Sequence, residues 1–222
     1  PVCERRREMT GRLGRREFLK GSAAVAAMVT APAIATERNR PTNILFILAD
    51  DMGYADLSSY GSRHIRTPVL DRLASGGVRL TDAYSNSPVC SPTRLALITG
   101  RYHTRWKTGL IEPFRPGPWG DQAIPAGQPT FPALLRNAGY ATSLIGKWHL
   151  GPTPENGPLA HGYEYFFGFL GGAIDYFTHE YMGEPALRSG KEIVRRKGYL
   201  TTILADEAIQ AIRKAIASRR PF

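Results

Sequence analysis

The run NILFILA, Asn43 to Ala49, constrains the fold more than any other stretch, because it is apolar without a break from Ile44 onward. It is far shorter than the ~20 apolar residues that span a bilayer. An uninterrupted run of this length is the pattern of a parallel strand covered on both faces. Helix signals come after it. Thr67-Pro68 supplies an N-cap and a first-turn proline for VLDRLAS, which Gly76-Gly77 ends before VRLTDAYS. The same grammar returns at Thr130 to Asn137, a predicted helix stopped near Gly139 and followed by the strand YATSLIG. Ile203, Leu204, Ala208, Ile212 and Ile216 recur at helical spacing and predict a last helix that faces a sheet. Residues 111–129, rich in Pro and Gly, read as an irregular excursion. Strands alternating with helices predict an α/β three-layer sandwich around a largely parallel central sheet.

The first 35 residues stand apart from this pattern. GRREFLK, Gly14 to Lys20, precedes the small-residue run GSAAVAAMVTAPA and then Ala33-Ile34-Ala35. A positive segment, a short apolar segment and an A-x-A site together resemble a twin-arginine signal peptide. The boundary is placed after Ala35, with Met9 as a candidate true start. This implies the twin-arginine export machinery as a partner, a periplasmic or secreted location, and no stable membrane span.

Of the net charge of +10, the signal holds seven Arg/Lys against three Glu, so +6 stays with the rest. Much of that lies between Arg188 and Arg220, where nine Lys/Arg face Glu192, Asp206 and Glu207. No nucleic-acid motif accompanies this basic stretch, so a solvated face is favoured over nucleic-acid binding. The positive balance suits an anionic substrate. The residues after the signal suffice for one domain with its own core, and they carry no internal repeat.

In α/β sheets ligands gather beyond the carboxyl ends of the strands, so the residues just past each strand are the candidates for a site. NILFILA runs into Asp50-Asp51. Adjacent carboxylates there suit a hard cation such as Ca²⁺ or Mg²⁺, or equally a turn or helix cap. YATSLIG runs into Lys147-Trp148-His149, and residues two apart in an extended segment share a face. Lys147 and His149 on one side would bind and protonate an anion, or would be a solvated lysine and a structural histidine.

The two cysteines are Cys3 and Cys90, and Cys3 falls in the signal. Cys90 is then left as a buried small hydrophobe, an intermolecular bridge or a reactive group. Its setting is CSPTR, where Ser91 is a good N-cap, Pro92 a good first helical residue and LALITG a helical continuation. That puts Cys90 just before a helix N-terminus, where the macrodipole favours negative charge. Arg94, one turn on, adds a cation over the same face. An inert buried cysteine needs none of this.

Cys90-Ser91-Pro92-Thr93-Arg94 with LALITGR, and GYATSLIGKWHLG after it, resemble the two signatures of the type I sulfatases of the alkaline phosphatase superfamily. The resemblance runs from about Thr42 to Phe222. The segment YFFGFLGGAIDYFTHE further resembles arylsulfatases of the N-acetylgalactosamine-4-sulfatase type. It implies an alkaline-phosphatase-like α/β fold, with residues 36–222 as the N-terminal part of the catalytic domain. It also implies hydrolysis of a sulfate ester, carried by a small molecule or a glycan, with calcium. A separate formylglycine-generating enzyme would read the C-x-P-x-R core and convert Cys90 to Cα-formylglycine, whose hydrate supplies the attacking oxygen.

By the same resemblance Asp50, Asp51 and the modified Cys90 would contact Ca²⁺, and Arg94 would stabilise the oxygens of residue 90. Lys147 would bind sulfate, His149 would assist at the hydrated aldehyde, and His179 would be a substrate contact. The family's second histidine, its Asp-Asn pair and its second lysine have no counterpart up to Phe222. Residues 36–222 alone are therefore expected to show little or no activity. A phosphodiesterase or phosphonate hydrolase of the same superfamily, or a non-catalytic anion-binding fragment, are the alternatives.

Overall fold

A computed structural model describes residues 41–114, 122–125 and 127–222. The signal segment lies outside the described residues, as do residues 115–121 and 126 of the expected irregular excursion. Among the described residues there are four α-helices, α1 (Pro68–Ser75), α2 (Cys90–Thr99), α3 (Phe131–Asn137) and α4 (Leu200–Ala217). The strands are β1 (Ser143–Lys147), β2 (Tyr165–Phe169), β3 (Glu180–Tyr181), β4 (Glu184–Pro185), β5 (Arg188–Ser189) and β6 (Glu192–Ile193).

The main sheet has the order β1-β2-β5-β6. Its β1–β2 pair is parallel, Ser143 opposite Tyr165 through Lys147 opposite Phe169, while β2–β5 and β5–β6 are antiparallel. The sheet is thus mixed, with the parallel pairing expected for most of it confined to β1 and β2 among the described residues. The reason is local. Short hairpin connections can only return antiparallel, and β5 follows β2 through the small β3–β4 hairpin rather than a crossover helix.

Alternation along β2 builds the two faces of the sandwich. Phe166 packs with Leu95 and Ile98 of α2, Trp148 and Leu170, with Phe131 of α3 against them. Phe167 and Phe169 face the other way, toward Ile174, Leu187 and Leu200, with Ile203 and Leu204 of α4. Phe166 and Phe167 are 1% and 0% exposed, each worth about 1.5–3 kcal/mol of burial. The α4 face is as predicted through Ile212, but Ile216 is 59% exposed at the helix end.

NILFILA departs from expectation. Residues 43–49 join no ladder, and Ile44 to Leu48 are between 41% and 71% exposed. A strand exists only through its partners, and here they are few. Ile44 N donates to Phe222 O (2.6 Å) and Ala141 N to Pro221 O (2.8 Å), so Pro221 and Phe222 bridge the start of the run to the chain entering β1. Past that rung, residues 45–49 have no backbone partner among the described residues.

Candidate active site

The first arm of the site is the start of α2. Val89 is extended and acts as N-cap, so the helix opens on Cys90 itself, two residues earlier than the CSPTR pattern suggests. The difference lies in what Ser91 does. Its side chain is fully buried and accepts from Phe114 N (2.7 Å) instead of capping the helix. Pro92 still fits, because a first-turn N–H has no helical partner to lose. Leu95 and Ile98, buried in the core, root the helix and so fix where Cys90 sits.

The second arm is the end of β1. Trp148 N donates to Phe169 O (2.9 Å) and His149 N to Leu170 O (3.0 Å), which carries the parallel pairing two residues past the strand. Trp148 turns into the core while its Nε1 donates to Asn156 O (2.9 Å). His149 has a left-handed backbone, φ 56°. Its ring is buried, with Nε2 3.1 Å from the Phe114 carbonyl and Nδ1 3.2 Å from Cys90 Sγ. A carbonyl only accepts, so the ring proton is on Nε2 and the Nδ1 lone pair faces Cys90. Burial first, then the charge of Lys147, pushes the imidazole down to about 4, keeping it neutral near pH 7.

Three charges close the arrangement. Lys147 Nζ lies 2.9 Å from Asp50 Oδ2, and Arg94 Nη2 lies 3.4 Å from Asp50 Oδ1. Arg94 Nη1 also donates to the Lys147 carbonyl (2.8 Å), which ties α2 to the end of β1. Burial acts to raise the Asp50 carboxyl, but the hydrogen bond and charge of Lys147, with Arg94, outweigh it and hold it below its ordinary value. Asp51 comes next with φ 56°, exposed. Among the described residues no three His, Cys, Asp or Glu side chains gather as a metal-binding group.

Cys90, Arg94, Asp50, Lys147 and His149 are therefore brought together, with Asp51 next in the chain. Among the described residues His179 makes no hydrogen bond or ion pair with them. It is 3% exposed, with Nε2 bonded to Gly198 O (3.1 Å) and Nδ1 without a partner among the described residues.

Two features of the site were not legible as side-chain motifs. The Phe114 backbone clamps Ser91 and His149 at once. Gly172 leaves room for the imidazole, since a Cβ there would stand 2.7 Å from His149 Cε1 and 2.8 Å from Nε2. The Gly171-Gly172 pair was the available signal, because an isolated glycine cluster after a strand marks a close approach.

A cysteine at a helix start, faced by a neutral imidazole and with a lysine and an arginine gathered beside it, is a site of an α/β protein whose chemistry suits an anion. The chain matches the sulfatase family over residues 42–222, and it belongs to that family. It is 44% identical over 140 residues to steryl-sulfatase of Homo sapiens, covering 59% of this chain and 24% of that protein. It is 35% identical over 199 residues to N-acetylgalactosamine-6-sulfatase of Canis lupus familiaris, covering 82% and 38%. The crystal structure of Ps i-CgsB in complex with k-i-k-neocarrahexaose superposes with a TM-score of 0.74 at 32% identity, covering 82% of this chain and 44% of that one. The chain thus spans roughly a quarter to under half of these relatives.

Residues 12–32 match the twin-arginine translocation signal family, which directs export across the cytoplasmic membrane to the periplasm or beyond. No helix among the described residues is long and apolar enough to cross a membrane.

Proposed function

We propose that the protein carrying this chain hydrolyses a sulfate ester, aryl or carbohydrate, at residue 90. The observation that carries the reading is the 3.2 Å approach of His149 Nδ1 to Cys90 Sγ, with Lys147 and Arg94 gathered beside it. Family membership and the sulfatase names of the relatives support it. Converted to Cα-formylglycine by a modifying enzyme, residue 90 supplies as its hydrate the oxygen that attacks sulfur and the hydroxyl whose deprotonation releases sulfate.

The chain's own residues have separate parts in this. Lys147 offers its ammonium to the sulfate oxygens, and Arg94 holds charge at residue 90 from one helical turn away. Neutral His149, its proton fixed on Nε2 by Phe114 O, presents Nδ1 to take a proton from residue 90. Asp50 orients both cations.

The oxygen donors of Asp50 and Asp51 suit calcium in kind. Two carboxylates nonetheless fall short of the roughly six to eight oxygens that calcium takes, and no third acidic or histidine side chain joins them among the described residues. Calcium is assigned to Asp50 and Asp51 as a partial set, and no step runs through it.

Sulfate release from an aryl sulfate, by protein made beside the modifying enzyme, tests the reading. Cys90→Ala should reduce release to background while the far-UV spectrum is unchanged. Equal release by parent and variant, or cleavage of a phosphate diester in preference to the sulfate, would overturn it.

A further inference from the structure

Away from the residue 90 site, three aromatic side chains form one exposed cluster. Tyr176 stacks on Tyr199 with centroids 5.6 Å apart and planes at 24°, and Phe177 lies 5.4 Å from Tyr199 at 36°. They are 52%, 46% and 70% exposed, so ring faces are open to solvent. The cluster is held rather than loose. Leu200 N donates to Tyr176 O (2.8 Å), and His179 Nε2 bonds Gly198 O (3.1 Å), so the two segments that carry the rings are stitched together on both sides. Asp175 Oδ1 accepts from Phe177 N (2.8 Å) and Thr178 N (2.7 Å), fixing the tight turn that presents Tyr176 and Phe177. Ile174 and Leu200, flanking the rings in sequence, are buried in the core.

Charge lies next to it. Arg195, Arg196 and Lys197 precede Tyr199 and are exposed. Arg196 is committed to Glu207 (3.3 Å), whereas the side chains of Arg195 and Lys197 have no ion pair or hydrogen bond among the described residues. Part of the basic stretch that reads in sequence as a solvated face thus runs directly into Tyr199, with Arg195 four residues and Lys197 two residues before it. The cluster is also tied to the reaction site. Gly172, where a Cβ would stand 2.7 Å from His149 Cε1, is four residues before Tyr176, and four residues of chain reach at most about 14 Å.

We propose that Tyr176, Phe177 and Tyr199, with Arg195 and Lys197, form a binding platform for a sulfated glycan, the rings stacking on sugar faces and the cations meeting sulfates along the chain. The proposal deepens the sulfatase reading by naming a polyanionic carbohydrate as substrate class. Rings supply large contact area at little entropic cost, and unpaired cations beside them supply attraction for sulfate. Basic and aromatic groups together also suit single-stranded nucleic acid. The export signal favours the glycan, because it delivers the chain to a compartment outside the cytoplasm. His179 is a positioning residue here, acting through Gly198.

Binding of chondroitin sulfate, and of chemically desulfated chondroitin, is measured by titration calorimetry on the chain carrying Cys90→Ala, so that turnover plays no part. The expected result is tighter binding of the sulfated chain. Tyr176→Ala with Phe177→Ala should weaken it about tenfold at unchanged net charge. Arg195→Gln with Lys197→Gln should weaken it and flatten its salt dependence. In active protein that keeps Cys90, the aromatic pair of substitutions should raise KM for a sulfated oligosaccharide by a larger factor than for a small aryl sulfate. Unaltered affinity in the aromatic variant would overturn the proposal, since charge alone would then account for binding. So would equal binding of single-stranded DNA, or self-association that the aromatic substitutions abolish. Because affinity is read without turnover, it fails or stands apart from the assignment of the residue 90 chemistry.

Discussion

Residues 43–49 and residues 143–149 carry the same kind of sequence, an apolar run that delivers charged side chains at its end, yet only the second is built into a ladder. β1 has β2 beside it in register, and the pairing continues through Trp148 and His149. The earlier run has one rung, from Ile44 to Phe222, and then exposed side chains. What it delivers, Asp50, is held in the site by Lys147 and Arg94 rather than by its own strand. Local composition thus says what a segment can become, and a partner decides whether it does. The arm of the site on β1 and α2 is held by core packing. The carboxylate arm depends on two ion pairs, one side of which is 46% exposed, a setting where such pairs contribute little.

The largest contrast should be in amide hydrogen exchange on this chain. Trp148 and His149, bonded to Phe169 and Leu170, should exchange roughly a thousandfold more slowly than residues 45–49. Equal protection of the two runs would break the comparison and mean that NILFILA finds partners in solution. Next comes packing. Phe167→Ala, at 0% exposure, should cost ~3–5 kcal/mol in urea denaturation. Phe46→Ala, at 58% exposure, should stay within ~0.5 kcal/mol.

The arm on β1 and α2 can be probed without touching a charged group. Gly172→Ala introduces a methyl into the His149 ring, and displacement of a catalytic group by about 1 Å costs on the order of a hundredfold in kcat. In a His149→Ala background the same substitution should cost almost nothing further. An equal loss in both backgrounds would show that Gly172 acts elsewhere.

The particular residues show why some of this was legible. Thr67-Pro68 and Thr130 gave two helix starts as predicted, and Thr130 Oγ1 accepts from Ala133 N (3.4 Å), because capping is decided within one turn of chain. CSPTR and KWHLG placed Cys90, Arg94, Lys147 and His149 in one site. Their mutual distances were not legible, since they arise from packing α2 and β1 on a shared core. The Phe114 carbonyl was missed because a backbone acceptor leaves no chemical signature in sequence, and Gly172 because the Gly171-Gly172 pair marks a close approach without saying which side chain makes it. NILFILA was misplaced for the opposite reason. Its signature is strong, but strand pairing is non-local, and the described residues give it a single rung. His179, a substrate contact by the resemblance, is a buried side chain bonded to Gly198 O.

The central claim is that residue 90 is a modified nucleophile rather than a buried thiol. Peptide mass spectrometry of the chain made beside a formylglycine-generating enzyme tests it most directly, because modification reads the local C-x-P-x-R sequence and does not wait on catalysis. The account predicts loss of the thiol and gain of an aldehyde at Cys90, trapped by a hydrazine reagent and absent when Pro92 or Arg94 is replaced by Ala. A peptide that keeps an unmodified, alkylatable thiol at Cys90 under those conditions would contradict it.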